Sequence, residues 1–175
     1  MDFLPITLQT LASTDASLKA SLARIDRDAL CTKPAPHEWS IVEVLCHIRD
    51  LEVEVFPQRT EIIRRNDGSK IQGFDEQAWA RERKYADADP EQALDTFLSA
   101  RKKNLPVLRQ IQASELEKTG VHSEFGKMSL RELLADWAAS DLVHTAQIQR
   151  IRLWRFYPDL GAFQKYFKTA LRIKE

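Results

Sequence analysis

Residues 129–155, SLRELLADWAASDLVHTAQIQRIRLWR, decide the fold. Ser129 and Glu132 have the S-x-x-E spacing in which each side chain satisfies a free backbone N–H of the other and starts a helix. Leu130, Leu133, Leu134, Trp137, Ile148 and Ile151 then recur every three or four residues, the period of one buried helical stripe. Asp141 and His144 occupy that stripe where leucine or isoleucine is expected. A long helix with ionisable groups in the middle of its apolar face aims those groups at the interior of a helical bundle.

Working outward, the same period recurs three times. Leu4, Leu8, Leu11, Leu18, Leu22 and Ile25 predict a first helix, which must stop before Pro34 and Pro36. Ser40 and Glu43 form a second capping box, and Ile41, Val44, Leu45, Ile48, Leu51 and Val55 form the stripe behind it, with His47 between them. Pro57 predicts a kink or short break, and Asn66-Asp67-Gly68-Ser69 a turn. Residues 70–88 lack periodicity and read as a long connection holding at most one short helix. Asp89-Pro90 opens a third helix that is expected to run to about Ala113, with a kink at Pro106. Phe163, Tyr166, Phe167 and Leu171 suggest an extra aromatic helix at the C-terminus. No strand-like alternation competes. The expectation is an all-α, up-and-down four-helix bundle in a single domain over residues 1–175, with a long connection after helix two.

Composition narrows the function classes. With 175 residues the chain can bury a sizeable core without disulfides. Its 26 acidic and 26 basic residues are interspersed, so no nucleic-acid-binding face is legible. No apolar run is long enough to span a membrane and the N-terminal stretch does not read as a secretory signal, which makes a cytoplasmic location the expectation. Cys31 and Cys46 read as free thiols. Five glycines leave little material for a phosphate-binding loop. The aromatic C-terminal segment offers apolar surface beyond what four helices need, which suggests a homodimer.

His47 and His144 are the strongest functional signal. A bundle builds sites by projecting ligands inward from facing helices, and neutral imidazole binds zinc, nickel and iron. Asp141, one turn before His144, would complete a set of two histidines and one carboxylate. The residue types alone leave a second reading open, in which the pair and Asp141 form a hydrogen-bonded polar cluster without an ion. Asp50 and Glu54, three and seven residues after His47, are placed to orient a ring N–H or accept a proton, and Trp137 to line a pocket. His37 and His122 fall in expected loops and read as surface residues.

The segments WSIVEVLCHIRDLEVEVFPQR, WARERKY and FGKMSLRELLADWAASDLVHTAQIQR, in that order over about residues 36–155, resemble the DinB/YfiT-like superfamily of four-helix bundles. The resemblance implies a divalent-metal site of three histidines, one on the second helix and an H-x-x-x-H pair on the last, and in some members thiol-dependent S-transferase chemistry with a low-molecular-weight thiol. By position, His47 and His144 match two of these ligands. The third position holds Ser140, whose neutral hydroxyl is a poor metal ligand. The resemblance therefore implies a degenerate divalent-metal site (Zn, Ni or Fe), serving a thiol-dependent S-transferase or a metal-assisted hydrolase of a small molecule. The alternative is a non-catalytic bundle that binds a small ligand or a protein partner in an apo pocket.

Overall fold

The computed structural model describes residues 2–66 and 68–171. Helix α1 spans Phe3–Leu22 and is followed by a short α2, Arg27–Cys31. The second bundle helix is built from α3, Ile41–Asp50, a single π-helical segment at Leu51–Val55, and α4, Phe56–Arg65. After a connection containing α5, Glu76–Glu82, helix α6 spans Pro90–Leu108 and the long α7 spans Leu130–Phe156. A 3₁₀ segment, Tyr157–Phe163, and the brief α8, Gln164–Phe167, end the described chain.

The local signals act as the residue types require. The Ser40/Glu43 and Ser129/Glu132 capping boxes are both closed, with each Glu accepting from the serine N–H and each serine Oγ accepting from the Glu N–H. Asp89 caps α6 by accepting from Gln92 N–H, with Pro90 in the first turn. Asn66 ends α4 in the left-handed conformation at φ 50°; Asp67, its neighbour in the expected turn, lies outside the described residues. The expected break near Pro57 takes the form of the π-helical segment immediately before it. One extra residue in that turn accommodates a proline that lacks an N–H to donate.

α1 packs chiefly against α7 and α6, while α3 packs against α6 and α7. Helices successive in the chain are thus not always the closest neighbours in the bundle. The core divides into two apolar clusters. One gathers Leu18, Ile41, Val44, Leu45, Phe97 and Ile148, and the other Leu11, Phe56, Ile63, Leu108, Leu133 and Trp137. No described helix is long and apolar enough to cross a membrane.

Two departures from expectation bear on the site. A small three-stranded sheet joins β1, Lys70–Ile71, in parallel to β2, Thr119–His122, which pairs antiparallel with β3, Gly126–Ser129. Strands of two to four residues are too short to show alternation in the sequence. The expected aromatic helix reduces to α8, and Phe163 and Tyr166 remain exposed while Leu171 is buried.

Candidate functional site

His47 from α3 and His144 from α7 meet edge to face, with ring centroids 4.7 Å apart. His47 is only 1% exposed and packs against the Trp39 ring. Burial, reinforced by the neighbouring His144, pushes its basicity down to about 3, so the ring is neutral at physiological pH. His144 Nδ1 lies 2.9 Å from Gln147 Oε1, an oxygen that can only accept, so the Nδ1–H donates there and Nε2 is the ring nitrogen left for another partner. Neutral imidazole is the form that coordinates metal.

Both rings form part of the wall of an open cleft of about 410 Å³. Ser140, one turn before His144, faces the same space. Glu76, at the start of α5, also reaches it: its Oε1 lies 4.0 Å from His47 Nε2, and its side chain is 56% exposed. Among the described residues, no group of three or more His, Cys, Asp or Glu side chains is close enough to hold an ion. The donors nevertheless suit a divalent cation in kind: two imidazoles, a carboxylate in reach and a hydroxyl.

Asp141 corrects an expectation. It accepts two hydrogen bonds from Arg101, at 2.6 and 2.9 Å, and one from the Thr14 hydroxyl at 2.5 Å. Arg101 is fully buried and simultaneously donates two hydrogen bonds to Glu52, which also accepts from Trp137 Nε1. Asp141 is therefore a member of a buried ion network between α1, α6, α7 and the π-helical segment, and its oxygens are engaged away from the histidines.

Three other expected pocket residues are also occupied elsewhere. Trp137 stacks on Phe56 with centroids 4.8 Å apart and bonds Glu52. Asp50 accepts from Arg49, Arg83 and the Tyr85 hydroxyl; burial opposes its ionisation, but these hydrogen bonds together hold the carboxyl below its ordinary range. Glu54 pairs with Arg83 at the surface. None of the three lines the cleft, whereas Ser140 does.

The cleft instead recruits residues that the sequence did not single out. Arg59 comes from α4, Gly73 and Phe74 from the connection after β1, His122 from the end of β2, Glu124 and Phe125 from the β2–β3 turn, and Asp136 from α7. His122, expected at the surface, is 2% exposed. A Cβ on Gly73 would meet the Glu124 carboxylate, so a larger residue there would displace the end of the Glu124 side chain. Surrounding protein pushes the Asp136 carboxyl up although part of its surface meets solvent; Arg59 and His122 oppose the rise. One signal for Asp136 was available in the sequence. Residues 136, 140 and 144 repeat every four positions along one helical face.

The family model of the DinB superfamily matches residues 10–148, most of the chain. Among solved structures, the chain is similar to YfiT from Bacillus subtilis, described as a probable metal-dependent hydrolase with an unusual four-helix bundle topology. The TM-score is 0.77 at 19% identity, over 85% of each chain. No curated protein matches.

Proposed function

The chain belongs to the DinB superfamily, and we propose that it is a small-molecule hydrolase whose cleft holds a divalent cation weakly between His47 and His144, with Glu76 as the carboxylate in reach. The convergence of the two imidazoles at 4.7 Å carries this reading, because rings drawn from two helices converge on one open cleft. YfiT's description as a probable metal-dependent hydrolase supports the reaction class. Bound there, such an ion would supply a lowered pKa to a water ligand.

The chain's own residues supply the rest. The Gln147 hydrogen bond orients the His144 ring, and burial keeps His47 neutral. Asp136, with its raised carboxyl, is the group in the cleft best suited to hold and return a proton. Ser140, a neutral hydroxyl where the resemblance implies an imidazole, favours a second reading, a pocket that binds a small ligand without an ion. A low-molecular-weight thiol in place of water would make the same cleft an S-transferase, which turnover assays with and without added thiol distinguish.

Calorimetric titration of metal-stripped protein with Zn²⁺ and Ni²⁺ tests the proposal. One weak equivalent is expected, lost in His144→Ala and tightened by at least about tenfold, or about 1.4 kcal/mol, in Ser140→His. No heat with the native chain and no gain in Ser140→His would overturn the metal reading and leave the metal-free pocket.

A further inference from the structure

Two hydrogen-bond donors in the cleft are incompletely paired: Arg59 meets no described carboxylate, and His122 Nε2 meets no described acceptor. Arg59 is half-buried, yet none of the described carboxylates forms an ion pair with it; its hydrogen bond to Gln72 O is long, at 3.4 Å, and its guanidinium lies 5.8 Å from the Phe74 ring centre. Arg49, Arg64, Arg101 and Arg150, buried or half-buried like it, each meet a carboxylate, and half-buried Arg152 bonds Gln149 Oε1 at 2.9 Å. His122 is the second donor. Its Nδ1 accepts from the backbone N–H groups of Glu124 and Phe125, at 3.2 and 3.4 Å, so the ring proton resides on Nε2. That Nε2 is buried and has no partner among the described residues. Buried N–H groups are ordinarily satisfied, and an orphaned one in the wall of a cleft is a place for a ligand oxygen.

The charge around these donors restricts what that oxygen belongs to. Among the described residues lining the cleft, Arg59 is the one arginine or lysine, against Glu76, Glu124 and Asp136. Such a wall accepts one negative charge beside Arg59 and repels a second. Phe56, Phe74 and Phe125, with Leu51 and Val143, make much of the remaining surface apolar. A cleft of about 410 Å³ holds a small organic molecule.

We propose that Arg59 and the Nε2–H of His122 form a recognition subsite for the carboxylate of a small monocarboxylate with an apolar or aromatic body. The body lies along the phenylalanines, and the rest of the molecule extends toward His47 and His144 in the same cleft. Asp136 lines the same cleft within electrostatic reach of both donors, and its charge opposes the ligand's, so this subsite selects a single carboxylate over a dianion. The assignment rests on the reading of the cleft as a small-molecule site but not on the presence of a metal.

The test uses the full chain, stripped of metal, and three probes of one shape: phenylacetate, phenylacetamide and phenyl phosphate. Affinity is read by protein-detected NMR with the His122 ring signals as reporter. Phenylacetate is expected to bind and shift those signals, and the amide and the phosphate to bind at least about tenfold more weakly. Arg59→Gln should weaken phenylacetate by about tenfold, and Asp136→Asn should tighten it severalfold. No phenylacetate binding, equal affinity for phenylacetamide, tighter phenyl phosphate, or an unchanged affinity in Asp136→Asn would each overturn the proposal. The last comparison holds even if Arg59→Gln does not fold. His144→Ala separates the two readings. Phenylacetate binding that persists there while Zn²⁺ binding is lost upholds the subsite; Zn²⁺ binding by the native chain without phenylacetate binding removes the subsite and leaves the metal reading.

Discussion

A histidine inside a core must give up its charge, and His47 does so. Its folded value of about 3 lies below the ordinary 6.5, first because of burial and then because of His144. The sign follows from proton binding. The unfolded chain takes up a proton near pH 6.5 that the native chain refuses until about pH 3, so this contribution is whole above 6.5 and lost as pH falls through that window. Glu52 works in the opposite sense, because burial raises its carboxyl against its bonds to Arg101. The prediction is therefore a difference: metal-free native protein should lose about 2–4 kcal/mol more stability than His47→Gln between pH 7 and pH 4, measured by urea denaturation. Parallel pH profiles for the two proteins would show that His47 ionises freely. At this scale the histidine pair was legible, because imidazoles stand where leucines belong. Asp141 was misread for a geometric reason. Residues 140 and 141 fall about 100° apart around the helix, so Ser140 turns to the cleft while Asp141 turns to Arg101. Arg59 and His122 were hidden, since an arginine on a polar helix face and a histidine beside a turn become a pair only through tertiary contact.

Between residues and the molecule stand the elements, and the π-helical segment at Leu51–Val55 decides where Glu52 points. Its backbone carbonyl and carboxylate both accept from Asn104 on α6, and the carboxylate grips Arg101. A fully buried arginine between two carboxylates persists because each charge is paired and hydrogen-bonded, and removing it leaves both acids uncompensated. Arg101→Met is expected to cost about 3–5 kcal/mol in chemical denaturation. The triple substitution Glu52→Gln, Arg101→Met, Asp141→Asn should recover a substantial part of that loss, because the stranded charges are gone. A triple variant no more stable than the single one would show that shape rather than charge holds this layer. Capped helix starts could be read directly, since a serine and a glutamate three residues apart act locally. The π turn and the short sheet could not, because one depends on a buried partner from another helix and the other on pairing across about fifty residues, Lys70 with Val121.

The whole molecule places two apolar clusters along the bundle, with the Arg101 network and the histidine pair as its polar interior. The cleft draws its walls from separate pieces: α3, α4, the connection after β1, the β2–β3 turn and α7. An ion shared by His47 and His144 would tie α3 to α7, and folding and binding are then linked, because the unfolded chain cannot hold the two rings together. Ligand at one hundred times its dissociation constant adds about 2.7 kcal/mol to stability. For a domain of this size each kcal/mol moves the melting temperature by about 2–4 °C. Saturating Zn²⁺ or Ni²⁺ should therefore raise the melting temperature of the native protein by about 5–11 °C, with a chelator reversing the shift. His144→Ala should melt at one temperature with or without metal, while Arg59→Gln, remote in role from the imidazoles, should keep the full rise. A rise that survives His144→Ala would place the ion elsewhere on the chain and detach it from the cleft.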